Sequence, residues 1–491
     1  MVRCVSGVTS AVLWLATLAA LSSGCGKVSP ANAGDAGPGS DAGSGSDAGP
    51  GSDADPGSDA GSGSDAGSAG DAGVPIDANP GVVSVTVLTS TNDGTPDSTA
   101  KVVFQDPNGD VVADVSVDPE GHAQSAMPRG GSVTAIRTLA SSATALTAQV
   151  TTITEVADGD ALTFGLPASP GLFQGGQTTM TANFVLAQGA TSYSFSTPCG
   201  TVRTQGSPVT LSFRDSCRGA TFDLLGTTNA GGVPMYVRLA NVAYQPGVTI
   251  SIPAAFSAMP TFTVNASNVP AEVSAMSVTR ASLAGNLSVS SINAVVPGDP
   301  PAGNVSVEIP FPSGFGTRSE LALIMLRPDA QFTQEVQVHT ATLGMGADVD
   351  VGKQPLPWIS NLAQTANGAT WTQVAAGDGT GAALLVWTGQ WTANGKTVTV
   401  TRSLAQPVSA TANSMTLPRL PAIYAPFDPL QQSVAVTLNG VTLYLGNYDV
   451  LNGYAHIRSM PEALLTTSIG NMGVLLGQPI QRRIVTATTI H

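Results

Sequence analysis

The chain reads as an all-β protein, several β-sandwich modules in tandem behind a disordered N-terminal linker. Three observations predict this. From Val82 onward, runs rich in β-branched residues alternate with Ser, Thr and Gly, the pattern of a pleated, half-buried strand. Turn chemistry punctuates those runs: Asp106-Pro107-Asn108-Gly109-Asp110, Asn394-Gly395 and Asn439-Gly440 each lie between apolar stretches, and Gly after Asn supplies the positive φ of a tight hairpin. Residues 25–80, by contrast, hold almost no side chain able to enter a core, so conformational entropy leaves them as coil.

The order of segments begins with residues 1–24. Arg3 charges a short polar start, and Val8 to Leu21 (VTSAVLWLATLAAL) is an apolar run. It is shorter than the roughly 20 residues that cross a bilayer as a helix, and reads as the core of a signal peptide. It stops at Leu21-Ser22-Ser23-Gly24-Cys25. Small residues directly before a cysteine resemble the bacterial lipobox, although Ser22 stands where lipoboxes usually carry Leu. That resemblance implies cleavage before Cys25 and acylation of its thiol with palmitate-type chains, and two or three chains anchor a protein stably. Gly26 follows, so the Asp that retains enteric lipoproteins in the inner membrane is missing. The resemblance thus implies a lipoprotein of the outer membrane or cell surface. The alternative is an ordinary secretory signal that ends near a cysteine.

Residues 25–80 form the tether. Asp35, Asp41, Asp47, Asp53, Asp59, Asp65, Asp71 and Asp77 recur in register, each opening a hexapeptide such as DAGPGS or DAGSGS. A Gly/Ser-rich coil of this length has an r.m.s. span of about 40 Å. Evenly spaced aspartates could also hold Ca²⁺ in a β-roll, but such rolls need an apolar residue per turn to stack inward, and this repeat offers only alanine. A calcium-indifferent coil is expected.

Charge narrows the partners. Nine of the 33 acidic residues and two of the 19 basic ones lie before residue 81, which leaves 24 against 17, a net charge of -7 on the body. A mildly acidic body offers no track for a phosphate backbone, so nucleic acid is rejected as a partner.

The body divides into residues 81–166, 167–296 and 297–491, the last divisible near 407–429, where prolines cluster. In the first part, the order VVF-x-DPNG-x-VVADVSVDPEGHAQSAMPRGGSVTA resembles the carboxypeptidase-regulatory-like modules of surface proteins. The resemblance implies a small transthyretin-type β-sandwich and carries no catalytic residue with it. Asp106, Asn108 and Asp110 also copy the opening ligands of an EF-hand loop. Its obligatory Gly would fall at Val111 and its bidentate Glu at Val117, so a plain hairpin turn is the better reading.

In the second part, Cys199 and Cys217 flank a strand, a turn at Gln205-Gly206-Ser207-Pro208, and another strand. Their midpoint falls on that turn, so they are expected to face each other across a hairpin and, in an exported protein, to be oxidised. Two thiols with no nearby histidine make no zinc site. In the third part, "LLVWTGQWTANGKTVTVTRS" and "SVAVTLNGVTLYL" are read as hairpins around Asn394-Gly395 and Asn439-Gly440, and Met460 to Ile469 as a short helix entered at Pro461.

The search for chemistry returns little. The chain has no G-x-S-x-G elbow and no H-E-x-x-H, and His122, His339, His456 and His491 are far apart. Gly377-Asp378-Gly379-Thr380-Gly381 lacks the Lys-Ser/Thr of a phosphate loop. No catalytic, cofactor-binding or metal-binding residue is expected. Glu308, Glu320, Glu335, Asp348 and Asp350 are the carboxylates a glycosidase could bring together. Trp387 and Trp391 share one face of a strand, with Gly389 between, and would either stack on sugar rings or fill a core. The expected function is a lipid-anchored envelope protein with a binding or structural role toward a glycan or an envelope protein, with the membrane reached through its lipid. The alternatives are a glycan-acting hydrolase of the envelope, and an accessory subunit whose exposed sheet edge recruits a partner strand.

Overall fold

The structure, a computed structural model, describes residues 28–30, 81–89, 94–166, 176–215, 217–284, 287–296, 303–314, 318–329, 333–340, 344, 346–353, 356–377, 381–409, 411–448, 454–466 and 480–489. The signal peptide, Cys25 and the eight repeats lie outside the described residues.

After a short strand at Val28–Pro30 (β1), which departs from the coil expected over 25–80 because it finds a sheet edge to pair with at Val305 to Val307, the chain runs through Gly81–Val87 (β2), Lys101–Gln105 (β3), Val111–Ser116 (β4), His122–Met127 (β5), Gly131–Ser141 (β6), Ala145–Val156 (β7) and Ala161–Phe164 (β8). Next come Gln177–Phe184 (β9), Ala190–Thr197 (β10), Gly200–Thr204 (β11), Val209–Arg214 (β12), Thr221–Ala230 (β13), Val233–Ala243 (β14), Thr249–Ile252 (β15) and Ser257–Ala258 (β16). Thr261–Val269 (β17), Ala275–Ala284 (β18), Leu287–Val296 (β19), Gly303–Pro310 (β20), Arg318–Leu326 (β21), Thr333–Thr340 (β22) and Gly346–Asp350 (β23) follow. The C-terminal strands are Trp358–Thr365 (β24), Gly368–Ala375 (β25), Ala382–Ala393 (β26), Lys396–Gln406 (β27), Ser414–Thr416 (β28), Thr437–Tyr448 (β29) and Ile480–Thr489 (β30). Two short helices follow β29, Tyr454–Ile457 (α1) and Pro461–Thr466 (α2); the second falls within the helix expected at 460–469, whose last three residues lie outside the described set, and the first was not expected.

The protein is all-β, as the sequence predicts, and its strands form several separate sheets. At the centre is a twelve-stranded sheet in the order β19-β18-β21-β22-β30-β29-β26-β27-β7-β6-β3-β4. One face carries the sheets β1-β20-β17-β23 and β24-β25-β28, and Phe262, Val264, Trp358, Leu362 and Trp371 pack there against Leu321, Leu385, Trp387 and Val400. The other face is covered by β5-β2-β8 and by the two helices, through Val83, Val85, Leu162, Tyr454 and Leu464. Strands buried on both faces need no polar side, which is why Val102-Val103-Phe104 and Ala382-Ala383-Leu384-Leu385 read as unbroken apolar runs.

This pairing crosses the boundaries expected at residues 166 and 296. β7 lies parallel to β27 over Ala145–Ile153 and Thr397–Ala405, joining the first module to the C-terminal region in one sheet. β18 pairs β21 across the expected cut at 296. Among the described residues, β9–β16 share no sheet with the rest and form a sandwich of β11-β10-β13-β14-β16 on β12-β9-β15 around Phe184, Tyr193, Phe195, Phe213 and Phe256.

Two expected hairpins turn out differently. Asn394 and Gly395 both have positive φ (51° and 72°) and close the β26–β27 hairpin as predicted. The same dipeptide at Asn439-Gly440 makes no turn: β29 runs straight through it, with Thr388 opposite Gly440 and Gly389 opposite Leu438. Asn439 is therefore the extra residue of a β-bulge, the other use that a strand makes of glycine. Likewise β11 and β12 do not pair. β11 pairs β10 and β12 pairs β9, so the Gln205–Pro208 connection crosses from one sheet of the sandwich to the other.

Candidate binding surfaces

Cys199 and Cys217 are joined by a disulfide with their Cα atoms 5.2 Å apart. The bond staples the β10–β11 turn to the chain just past β12. It thus closes one end of the sandwich rather than bracing a hairpin. Beside it lies a cleft of about 330 Å³ between β10, β11 and β12, floored by Phe195 and Leu211. Just past β12, Asp215 pairs with Arg218, which also donates to the Tyr244 hydroxyl.

The tryptophans expected as a ligand platform are core. Trp387 is fully buried, Trp391 is 3% exposed, and neither offers a ring to a sugar. Their shared face is correct; the face is the inward one. Trp387 donates from Nε1 to the Thr365 carbonyl at 2.9 Å, and its ring lies over Gly389, where a Cβ would sit 2.2 Å from Cη2. Trp371 is held the same way, by the Ala412 carbonyl at 2.9 Å.

Of the candidate carboxylates, the structure gathers three on one surface. In β20-β17-β23 every second residue points outward: Asn304, Ser306 and Glu308; Thr263, Asn265 and Ser267; Asp348 and Asp350. Ser306 Oγ donates to Asn265 Oδ1 at 2.9 Å, and Asn265 Nδ2 donates to Asp348 Oδ1 at 2.8 Å, a row across three strands. Asn268, in left-handed geometry at the β17 bulge (φ 56°), donates to Asp350 Oδ1 at 2.9 Å, which also takes the Gly352 N–H. Glu308 is opposite Thr263 and Asp348 is opposite Asn265, so the two acids are two strands and two residues apart. At about 4.8 Å per strand and about 3.3 Å per residue, that is roughly 12 Å between backbones. Glu320 is buried in the large sheet, and the Glu335 side chain lies outside the described residues.

Sequence reasoning missed the buried polar hub. The Asp428 carboxylate, fully buried, accepts from Leu420 N, Leu430 N, Gln431 Nε2 and Arg402 Nη1 at 2.8–3.2 Å. Arg402 also donates to the Pro418 carbonyl; burial pushes its guanidinium down to about 10 while Asp428 holds it up. Together they pin the proline-rich passage across the sheet. At its tip, Tyr424 donates to Asp114 Oδ1 of β4 at 2.7 Å, and burial, with that carboxylate, raises the phenol well above its ordinary value. Arg280 sits between the rings of Phe262 and Phe311, 3.9 Å from each centroid, and burial lowers it to about 10.

The histidines stay apart: His122 is exposed beside Thr86 Oγ1 and His456 is exposed on α1, while His491 and the side chain of His339 lie outside the described residues. Among the described residues no three His, Cys, Asp or Glu side chains come together as a metal site, and no helix is long and apolar enough to cross a membrane. Asp106 accepts the N–H groups of Asn108 and Asp110 through Oδ1, the signature of a self-capped turn.

No protein-family profile matches the chain, and no curated protein matches it. Among solved structures, it is similar to a candidate adhesin from Bacteroides ovatus at 10% identity, over 54% of this chain and 84% of that one, with a TM-score of 0.15. A pilus adhesin, SpaC from Lactobacillus rhamnosus GG, in its open conformation, gives 10% identity over 67% of this chain and 43% of that one, with a TM-score of 0.13. Escherichia coli alpha-2-macroglobulin gives 9% over 75% and 27%, with a TM-score of 0.12. Scores this low transfer neither fold nor function.

Proposed function

We propose that the chain is a lipid-anchored protein of the outer membrane or cell surface, held at Cys25, whose β-rich body binds or scaffolds rather than catalyses. The observation that carries the second half is the open polar face of β20-β17-β23. Asp348 and Asp350 accept from asparagine amides, and Glu308 lies on the same sheet face, two strands and two residues from Asp348. A glycosidase sets its two carboxyls on opposite sides of a bond held between them, whereas these acids stand side by side on one face. A row of donors and acceptors tied to one another suits recognition of a polar surface instead. The anchoring half rests on the small residues before Cys25 and the coreless repeats behind it.

The test has two arms. Fatty-acid labelling of the exported protein is expected to mark the wild type and not Cys25→Ser, and equal labelling or equal detergent partitioning of both overturns the anchor. In the second arm, envelope-glycan turnover by the purified chain is expected to stay at background. Turnover that disappears in Glu308→Gln or Asp348→Asn overturns the non-catalytic reading.

A further inference from the structure

We propose that the free edge of β4 is a docking strip for an extended, basic strand of another protein, which adds to the twelve-stranded sheet by main-chain pairing. The inference sharpens the binding role above and does not depend on the lipid anchor.

The large sheet ends at β4. This strand pairs with β3 along one side, from Lys101 opposite Ser116 to Gln105 opposite Val111, and with no strand on the other among the described residues. Such an edge presents a row of unused N–H and C=O groups, and proteins normally blunt it with Lys, Pro, a cover, a bulge or a very short strand; β4 has one of these, a bulge at Val112 opposite the step from Phe104 to Gln105, which leaves Ala113 to Ser116 in regular pairing. β4 has six residues, Val111-Val112-Ala113-Asp114-Val115-Ser116, with no Lys, Arg or Pro among them. Its first two residues are exposed, Val111 by 48% and Val112 by 43%, while Ala113 and Val115 pack against the core beneath β5-β2-β8.

Several other edges are managed. The outer side of β20 is covered by β1, where Ser29 lies opposite Ser306; β16 and β28 have two and three residues; the β8 N–H of Thr163 donates to the Ser459 carbonyl at 2.6 Å. The β1–β20 pair also shows this molecule accepting a short extended segment on a sheet edge.

Charge names the partner. Asp106, Asp110, Asp114, Asp118 and Glu120 punctuate the strand and its two flanking turns, and no Lys or Arg occurs from 102 to 128. Three of these acids are fixed in place. Asp106 is held by its own loop, Asp118 accepts the His122 N–H at 2.7 Å, and Asp114 accepts from Tyr424. Lys101, on the neighbouring strand, is engaged with Ser116. Alternate residues of a strand share a face, so a segment of alternating basic and apolar residues matches this strip: its cations lie on the face of Asp114, and its apolar residues on the opposite face, that of Ala113 and Val115.

The experiment uses the full chain and two short synthetic peptides, one alternating Lys and Val, the other Glu and Val, with hydrogen exchange as the readout. At about ten times its Kd, the Lys–Val peptide is expected to slow exchange of the 111–116 amides by about tenfold, with affinity falling as salt rises. The Glu–Val peptide is expected to have no effect. Successive N–H groups point to opposite sides where a strand pairs regularly, as from Ala113 to Ser116, so one of Val115→Pro and Ser116→Pro removes an outward donor without touching the β3 ladder. Whichever keeps the wild-type melting temperature must lose binding, and Asp110→Asn must weaken it. Equal binding of both peptides, protection confined to another strand, or full binding by the folded proline variant overturns the proposal.

Discussion

The three-layer body and the β9–β16 sandwich solve one problem in opposite ways. In the body, strands far apart in sequence meet: β7 lies beside β27 with about 250 residues between them, and both faces of the central sheet are buried. The sandwich is assembled from neighbours in sequence around a compact aromatic cluster, with Phe184 and Phe195 centroids 4.6 Å apart, and adds a covalent staple. A long apolar interface needs no covalent help, whereas a small core buries a smaller share of its surface and gains more from restricting the unfolded chain. The body spends its polar groups internally instead, at Asp428 and Arg402, where one carboxylate organises a whole passage.

The largest expected effect is at that hub. Asp428→Ala leaves Arg402 charged and buried without its partner and orphans the N–H groups of Leu420 and Leu430. Removing one partner of a buried pair costs about 3–5 kcal/mol, which chemical denaturation would read directly. Exchange should quicken in the three-layer body and not in β9–β16. A uniform loss across both would mean the two regions unfold as one unit, and the comparison would fail.

The reciprocal change is Cys199→Ala with Cys217→Ala. The cysteines are 18 residues apart, and a loop of that order restricts the unfolded chain by about 3 kcal/mol. The loss should fall on β9–β16 alone, with the β26 and β27 amides protected as before. Gly389→Ala probes packing in the body. A Cβ there meets Trp387 at 2.2 Å, against ring atoms locked by the Nε1 bond to Thr365. Overpacking of this kind costs about 1–3 kcal/mol, and near-wild-type stability would mean that the ring can move aside.

What the sequence made legible was local. Alternation marked the chain from Val82 onward as strands, and Asn394-Gly395 closed its hairpin because nothing else competed for those residues. The identical Asn439-Gly440 was overridden because β26 pairs β29 before and after it, at Leu438 and from Gly440 on, and main-chain pairing outweighs turn propensity. Spacing placed Trp387 and Trp391 on one face but could not say that another sheet covers it. Cysteine counting found the disulfide, yet the exchange of β11 and β12 between sheets depends on partners outside the 199–217 window. The polar row was half visible, since TFTVNASNV and GNVSVEIP alternate; that the two stretches lie side by side was not.

The smallest expected effect is at Asn265, and it separates structure from function most sharply. The residue is exposed, and its amide joins Ser306 to Asp348 across three strands. Water can replace both bonds in Asn265→Ala, so stability should stay within about 0.5 kcal/mol of wild type. If the face of β20-β17-β23 recognises a polar surface, the same change should weaken adsorption to isolated envelopes, because two fixed partners in a planar row are lost together. Aspartate at this position should do worse than alanine, since it sets a second negative charge against Asp348. A stability loss near that of Gly389→Ala would make the row a brace for the sheet, while unchanged adsorption by both variants would move the search to the β4 edge.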